Sequence, residues 1–260
     1  MPFKTLQSTY PNDKDMPARS FRLAALRRVI DGTMYDNLPH PFHTEKNDAG
    51  EYVPLRDRRP SVKYALCRIV VDDSVSMLFS EGHFPEIDCE DEDTKETLQR
   101  IIKEAKINQV MIEGATSGSV GSVALMFRVI KGRVFVDVSP TENLTPAWNP
   151  DAPDELLKVT EQYKVKGKAL KDFGYTIKDD NLNADHWFMR EWVSPAETCY
   201  MPTLVSDKKL PNKVDKDNTV KHSLGFVPVI WVKNLPGGDK IDGVCTFPPE
   251  AIDLGIVWSR

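Results

Sequence analysis

An α+β fold follows from three features of the sequence. Apolar residues in the first half recur at three- and four-residue steps. Those in the second half alternate or fall in β-branched and aromatic runs. The change from one pattern to the other comes once, near Gly121. A single switch from helix to strand predicts N-terminal helices packed on a mostly antiparallel β-rich region, and argues against a parallel βαβ sheet.

Residues 1–18 are polar and Pro-rich and read as an arm. A helix is predicted over Pro17–Asp36, where Leu23, Leu26, Ile30 and Met34 share a face and Arg19, Arg22, Arg27 and Arg28 supply cations. The stretch from Asn37 to Pro60 has no period and reads as a long Pro-punctuated loop. Ser61 is placed to cap a second helix reaching Phe79, with Val62, Leu66, Ile69 and Val70 on one side. The run EIDCEDEDTKE (86–96) holds seven acids in eleven residues. It reads as a solvated acidic loop leading into a helix, whose N-terminal dipole favours negative charge. That helix is predicted over Thr94–Glu113, with Leu98, Ile101, Ile102, Ala105 and Met111 as its apolar stripe.

Beyond Gly121, two strands are predicted on either side of Lys131-Gly132, with Val134, Val136 and Val138 alternating on the second. LLKVTEQYKV, HWFMREWV, AETCYMPTLV and FVPVIWVKNL supply further strands. The last is followed by a turn at PGGD, where Gly237 and Gly238 are the turn residues.

The chain has 260 residues and a net charge of −5, which gives no whole-chain basic excess for tight nucleic-acid binding. Its four cysteines include no C-x-x-C pair, so they read as free thiols of a reducing compartment and not as a zinc knuckle or disulfide framework. The N-terminus lacks the apolar core of a signal peptide, and no apolar run approaches the roughly 20 residues of a membrane span. The expectation is a soluble protein with no membrane partner.

The candidate chemistry fails motif by motif. Gly114, Gly118 and Gly121 space as G-x-x-x-G-x-x-G. No lysine follows, and a helix precedes them where a phosphate loop needs a strand. They are expected to end a helix and open a hairpin, with a positive φ at one of them at least. DDNLNAD alternates oxygen ligands like a calcium loop, but Ala184 stands where the glycine belongs and Arg190 where the glutamate belongs. His40 and His43 flank Pro41, which no helical metal face tolerates. Asp72-Asp73 reads as a solvated helix face. No nucleophile, base and oxyanion donor assemble into a set. The sequence therefore predicts no enzyme, no cofactor and no metal. The alternatives are a nucleotide- or metal-dependent enzyme using the Gly/Ser loop 114–122 with Asp72 and Asp73, and a monomeric binding module. Trp187, Trp192, Phe226 and Trp231 are the candidate core or interface aromatics.

Several segments together resemble the portal proteins of tailed bacteriophages, in the family of the Bacillus-phage SPP1 portal. They are VIDGTMYD (29–36), RRPSVKYALCRIVVDDSVSMLF (58–79), TSGSVGSVALMFRV (116–129), VSPTENLTPAWNPDAPDELLKVTEQYKV (138–165) and HSLGFVPVIWVKNLPGGDKIDGVCTF (222–247). The resemblance implies a wing-like fold and a structural subunit of the virion. Portals form a ring, a dodecamer as a rule, at one capsid vertex, through which double-stranded DNA is packaged and ejected without sequence specificity. It also implies terminase, scaffold and head-completion proteins as partners, and the host cytoplasm as the place of assembly. Portals of this family are much longer and continue into stem, clip and crown. The expectation is thus a truncated copy: an arm, helix and loop over 1–60, a wing-like domain over 61–235, and a lead-in to the missing stem over 236–260.

Overall fold

A computed structural model of the chain describes residues 17–34, 46–52, 65–79 and 87–258, with side chains as far as Gly255. The predicted Ser61 cap, the N-terminal arm, and His40, His43 and His83 lie outside the described residues. The fold is α+β, with 35% helix and 32% strand among the described residues, and antiparallel sheets. The chain forms two compact units, residues 1–142 with 231–260, and residues 143–230. The first unit brings the first and last described helices together, which the division at residues 60 and 235 separates.

In the first unit, α1 (Ala18–Ile30) is shorter than its apolar period. Gly32 takes φ +68° just past the Asp31 cap, a left-handed turn that stops the helix, while Met34 still reaches the core. α2 spans Leu66–Phe79. The helix expected over 94–113 is two helices, α3 (Glu92–Glu104) and α4 (Ile107–Gly118). Lys106 breaks them apart in the left-handed region at φ +51°, a conformation that no Gly, Asn or Pro announces. The acidic run behaves as expected. Asp91 caps α3 by accepting the Thr94 N–H at 3.1 Å, and Glu92 and Asp93 lie in the first turn.

β1 (Ser122–Ile130) and β2 (Arg133–Pro140) form the predicted antiparallel hairpin, from Val123 opposite Pro140 to Ile130 opposite Arg133. Lys131 and Gly132 both have positive φ, the geometry of a two-residue hairpin turn. A third strand, β9 (Val229–Lys233), pairs with β1 to give the order β2-β1-β9. The chain ends on α6 (Pro249–Trp258). Leu23, Val71, Phe247 and Ile252 are almost fully buried in one core that α1, α2 and α6 share. Each such side chain contributes roughly 1.5–3 kcal/mol.

The second unit is one antiparallel sheet in the order β3-β4-β5-β6-β8. Its strands are β3 (Leu144–Trp148), β4 (Leu156–Lys166), β5 (Asp185–Val193), β6 (Ala196–Tyr200) and β8 (Val214–Lys221), and the short β7 (Thr203–Leu204) also pairs with β5. Between β4 and β5 lies α5 (Gly167–Asp172). Strand alternation puts Val159 and Trp192, which are cross-strand partners, on the buried side. Leu144, Leu170 and Cys199 are also buried in this unit. Both edges are blunted: β3 carries Pro146, and β8 is studded with Lys216, Asp217 and Lys221.

Candidate functional site

The most concentrated polar arrangement lies in the first unit and centres on Asp242, 1% exposed. Three parts of the chain converge there. Arg19 and Arg22 sit one helical turn apart on α1, so both guanidinium groups point the same way. Ser122 opens β1, and Thr141 follows β2. Asp242 itself is held by the turn around Gly237 and Gly238, where the Asp239 Oδ1 accepts the N–H groups of Ile241 (2.8 Å) and Asp242 (2.7 Å). The backbone hydrogen bond from Asp242, followed by others from Ile241 and by Arg22, keeps the Asp239 carboxyl below its ordinary range.

The Asp242 carboxylate accepts four hydrogen bonds. Arg19 donates twice, Nε to Oδ2 and Nη2 to Oδ1, each at 2.7 Å. Arg22 Nη2 donates to Oδ2 at 3.0 Å, and Ser122 Oγ donates to Oδ1 at 2.6 Å. Four donors on two oxygens use the whole acceptor capacity of a carboxylate. Ser122 gives its one proton to Asp242, so the Thr141 hydroxyl proton is shared between Ser122 Oγ at 2.7 Å and the Ser122 carbonyl at 3.1 Å. Arg19 also donates to the Thr141 carbonyl at 3.0 Å and lies 5.6 Å from the centre of the Trp231 ring. Trp231 anchors the same loop by donating Nε1–H to the Ile241 carbonyl at 2.8 Å. Every strong group in the knot is spent on another, and Ser122 and Thr141 are fully buried. The arrangement can hold a loop, a hairpin and a helix together. The Asp242 carboxylate has no lone pair left for a metal, and the Ser122 and Thr141 hydroxyls are shut away from solvent.

The glycines of the Gly/Ser stretch take separate places. Gly118 is the last residue of α4, as expected for a helix end. Gly121 opens the hairpin at φ +151°, with its Cα facing Leu23, Asp242 and the Gly243 carbonyl. Gly114 is a correction to the sequence reading: it lies inside α4, buried, where a Cβ would meet Leu125 Cδ2 at 3.5 Å. That is ordinary van der Waals contact, so the site has room for a Cβ, and no turn is involved. Gly237 has φ +93°, and Gly238 is needed for closeness, since a Cβ there would sit 2.0 Å from the Asp242 carbonyl oxygen.

A second polar cluster lies on the sheet of the second unit. Arg190 sits directly across from Glu161, pairs with it at 2.9 Å and with Glu197 at 3.0 Å, and stacks 4.4 Å from the Trp192 ring centre. On the other face, Glu191 accepts from Lys158 (2.9 Å), Thr160 (3.2 Å) and the Tyr200 hydroxyl (2.7 Å). Burial works against the Glu191 charge, but these donors prevail and its carboxyl stays below the ordinary range. Burial, with the bond to Glu191, pushes the Tyr200 hydroxyl up to about 12.

Trp192 is core, buried under Arg190, and Trp231 is buried in the Asp242 knot. Trp187 sits an odd number of residues from Trp192 on β5, hence on the opposite face, with Lys164 Nζ 5.2 Å away. Phe226 is 57% exposed. Trp187 and Trp192 therefore do not line one groove. The calcium-like DDNLNAD is a polar turn, with Asp179 paired to Lys171 and Asp185 to Lys166. Asp72 is bound by Arg68 at 2.8 Å on an exposed helix face. Among the described residues, no group of three or more His, Cys, Asp or Glu is placed to hold a metal ion. No helix among them is long and apolar enough to cross a membrane.

The sequence reading missed Asp242. The available signals were the Asp-x-x-Asp-Gly pattern after two glycines, which marks an Asx turn, and the i, i+3 arginines of α1. Comparison with protein-family models finds no match, and comparison with curated proteins finds none either.

Proposed function

We propose that this chain is a structural subunit of the portal ring of a tailed bacteriophage and supplies its wing part. In that role it surrounds double-stranded DNA that is packaged and ejected without sequence specificity, and it works beside terminase, scaffold and head-completion proteins at the capsid vertex. The observation that carries the reading is the meeting of segments 116–129 and 222–247, two of the stretches whose wording resembles that family. The Gly121 carbonyl accepts the N–H groups of Asn234 (2.9 Å) and Gly243 (2.8 Å), and Ser122 binds Asp242 next to them. These two resembling segments thus meet in one buried joint, which supports reading them as parts of one unit. The net charge of −5 suits a passage that a polyanion slides through.

Electron microscopy and sedimentation of the purified chain test the proposal. Closed rings are the expected result. A strict monomer across the concentration series removes the assembly role, and saturable heat with ATP and magnesium points to the enzyme alternative.

A further inference from the structure

The first unit exposes two apolar surfaces that complement each other in charge. α2 buries a narrow stripe, Cys67 and Val71. Its outward arc carries Ile69, Val70, Asp73 and Met77, with the Arg68-bound Asp72 beside them, and Met77 is 77% exposed. The second surface is the tip of the β1–β2 hairpin. There Val129, Ile130 and Phe135 are exposed among Lys131 and Arg133, with no acid between Arg128 and Val136. α4 packs against α2 and also against β1 and β2, so the two surfaces belong to the same unit.

We infer that the hairpin tip of one copy of this chain docks on the outward face of α2 of a second copy. Valine and isoleucine meet isoleucine, valine and methionine, while Lys131 and Arg133 come opposite Asp73 and compete with Arg68 for Asp72. Because the two surfaces differ, the contact is head-to-tail, the kind that closes into a ring when the rotation allows. Burying apolar side chains drives the association, and the charges set the register and reject the wrong pairing. The inference rests on the ring reading and names the surfaces it would use.

The test is sedimentation velocity on the full chain and on two charge-reversed variants. One carries Lys131→Glu with Arg133→Glu; the other carries Asp72→Lys with Asp73→Lys. All four sites are exposed, and circular dichroism confirms that each variant is folded. Each variant alone is expected to associate about tenfold more weakly than the natural chain, or worse, because like charges then face each other. An equal mixture is expected to recover association, since each reversed surface finds its opposite on the other variant. If the natural chain stays monomeric, the ring reading and the inference fall together. If the natural chain associates and either variant alone associates as well, or the mixture recovers nothing, the docking surfaces are wrong and the ring reading stands.

Discussion

Asp242 shows how much a single carboxylate can organise. Replacing it with alanine removes the carboxylate that Arg19 and Arg22 share, and Arg19 is only partly open to water. We expect Asp242→Ala to lower stability by roughly 2–4 kcal/mol in urea unfolding. Lys171→Ala, which breaks an exposed pair with Asp179, is expected to change it by less than about 0.5 kcal/mol. Acid weakens the fold through Asp215 and Asp239. Asp215 is held below the ordinary range chiefly by the Asn218 side chain, and Asp239 by the backbone of Asp242. A carboxyl depressed by folding stabilises above its unfolded value, near 4, and that stability disappears as pH falls through the folded value. Stability should therefore decline below about pH 4, and the double variant Asp215→Asn/Asp239→Asn should decline less over the same interval. Burial pushes the Cys67 thiol up to about 12 and those of Cys199 and Cys245 up to about 11. A disulfide reagent at pH 8 should label Cys89 first, Cys245 more slowly, and the buried Cys67 and Cys199 only on unfolding.

At the level of the element, Gly114 separates two readings. A turn glycine loses stability when it becomes alanine, whereas a helix-interior glycine with room for a Cβ gains. Gly114→Ala should raise stability by roughly 0.5–1 kcal/mol, read as a shift in the urea midpoint without a change in slope. The elements visible in the sequence were those with a clean period and a punctuating residue. The β1–β2 hairpin was legible because Val134, Val136 and Val138 alternate after a Lys-Gly turn. The break between α3 and α4 was not, because the apolar stripe continues through Ala105-Lys106 and the stop is a left-handed lysine. β3 and β8 were hidden for one shared reason: edge strands carry proline and charge to refuse partners, and that composition reads as loop. The Asp242 knot was hidden because its members stand far apart in the chain, and only packing brings them together.

For the molecule as a whole, the second unit is one uninterrupted segment with its own sheet and its own buried residues. Residues 143–230 expressed alone should fold cooperatively, with the buried Trp192 giving a near-ultraviolet signal that melts in one transition. Loss of that signal in the isolated piece would show that the segment depends on the rest of the chain.

The clasp between Arg19 and Asp242 spans 223 positions of the sequence. On the ribosome, α1 emerges before the other described helices and waits, because its acceptor is made 223 positions later. Phe247 and Ile252, which complete the core around α1, come later still. By then residues 143–230 have all been synthesised, so the inserted sheet is complete before its host. A pause or stop in translation anywhere before Asp242 would release a chain with a finished inner unit and an N-terminal helix whose buried face has nowhere to go.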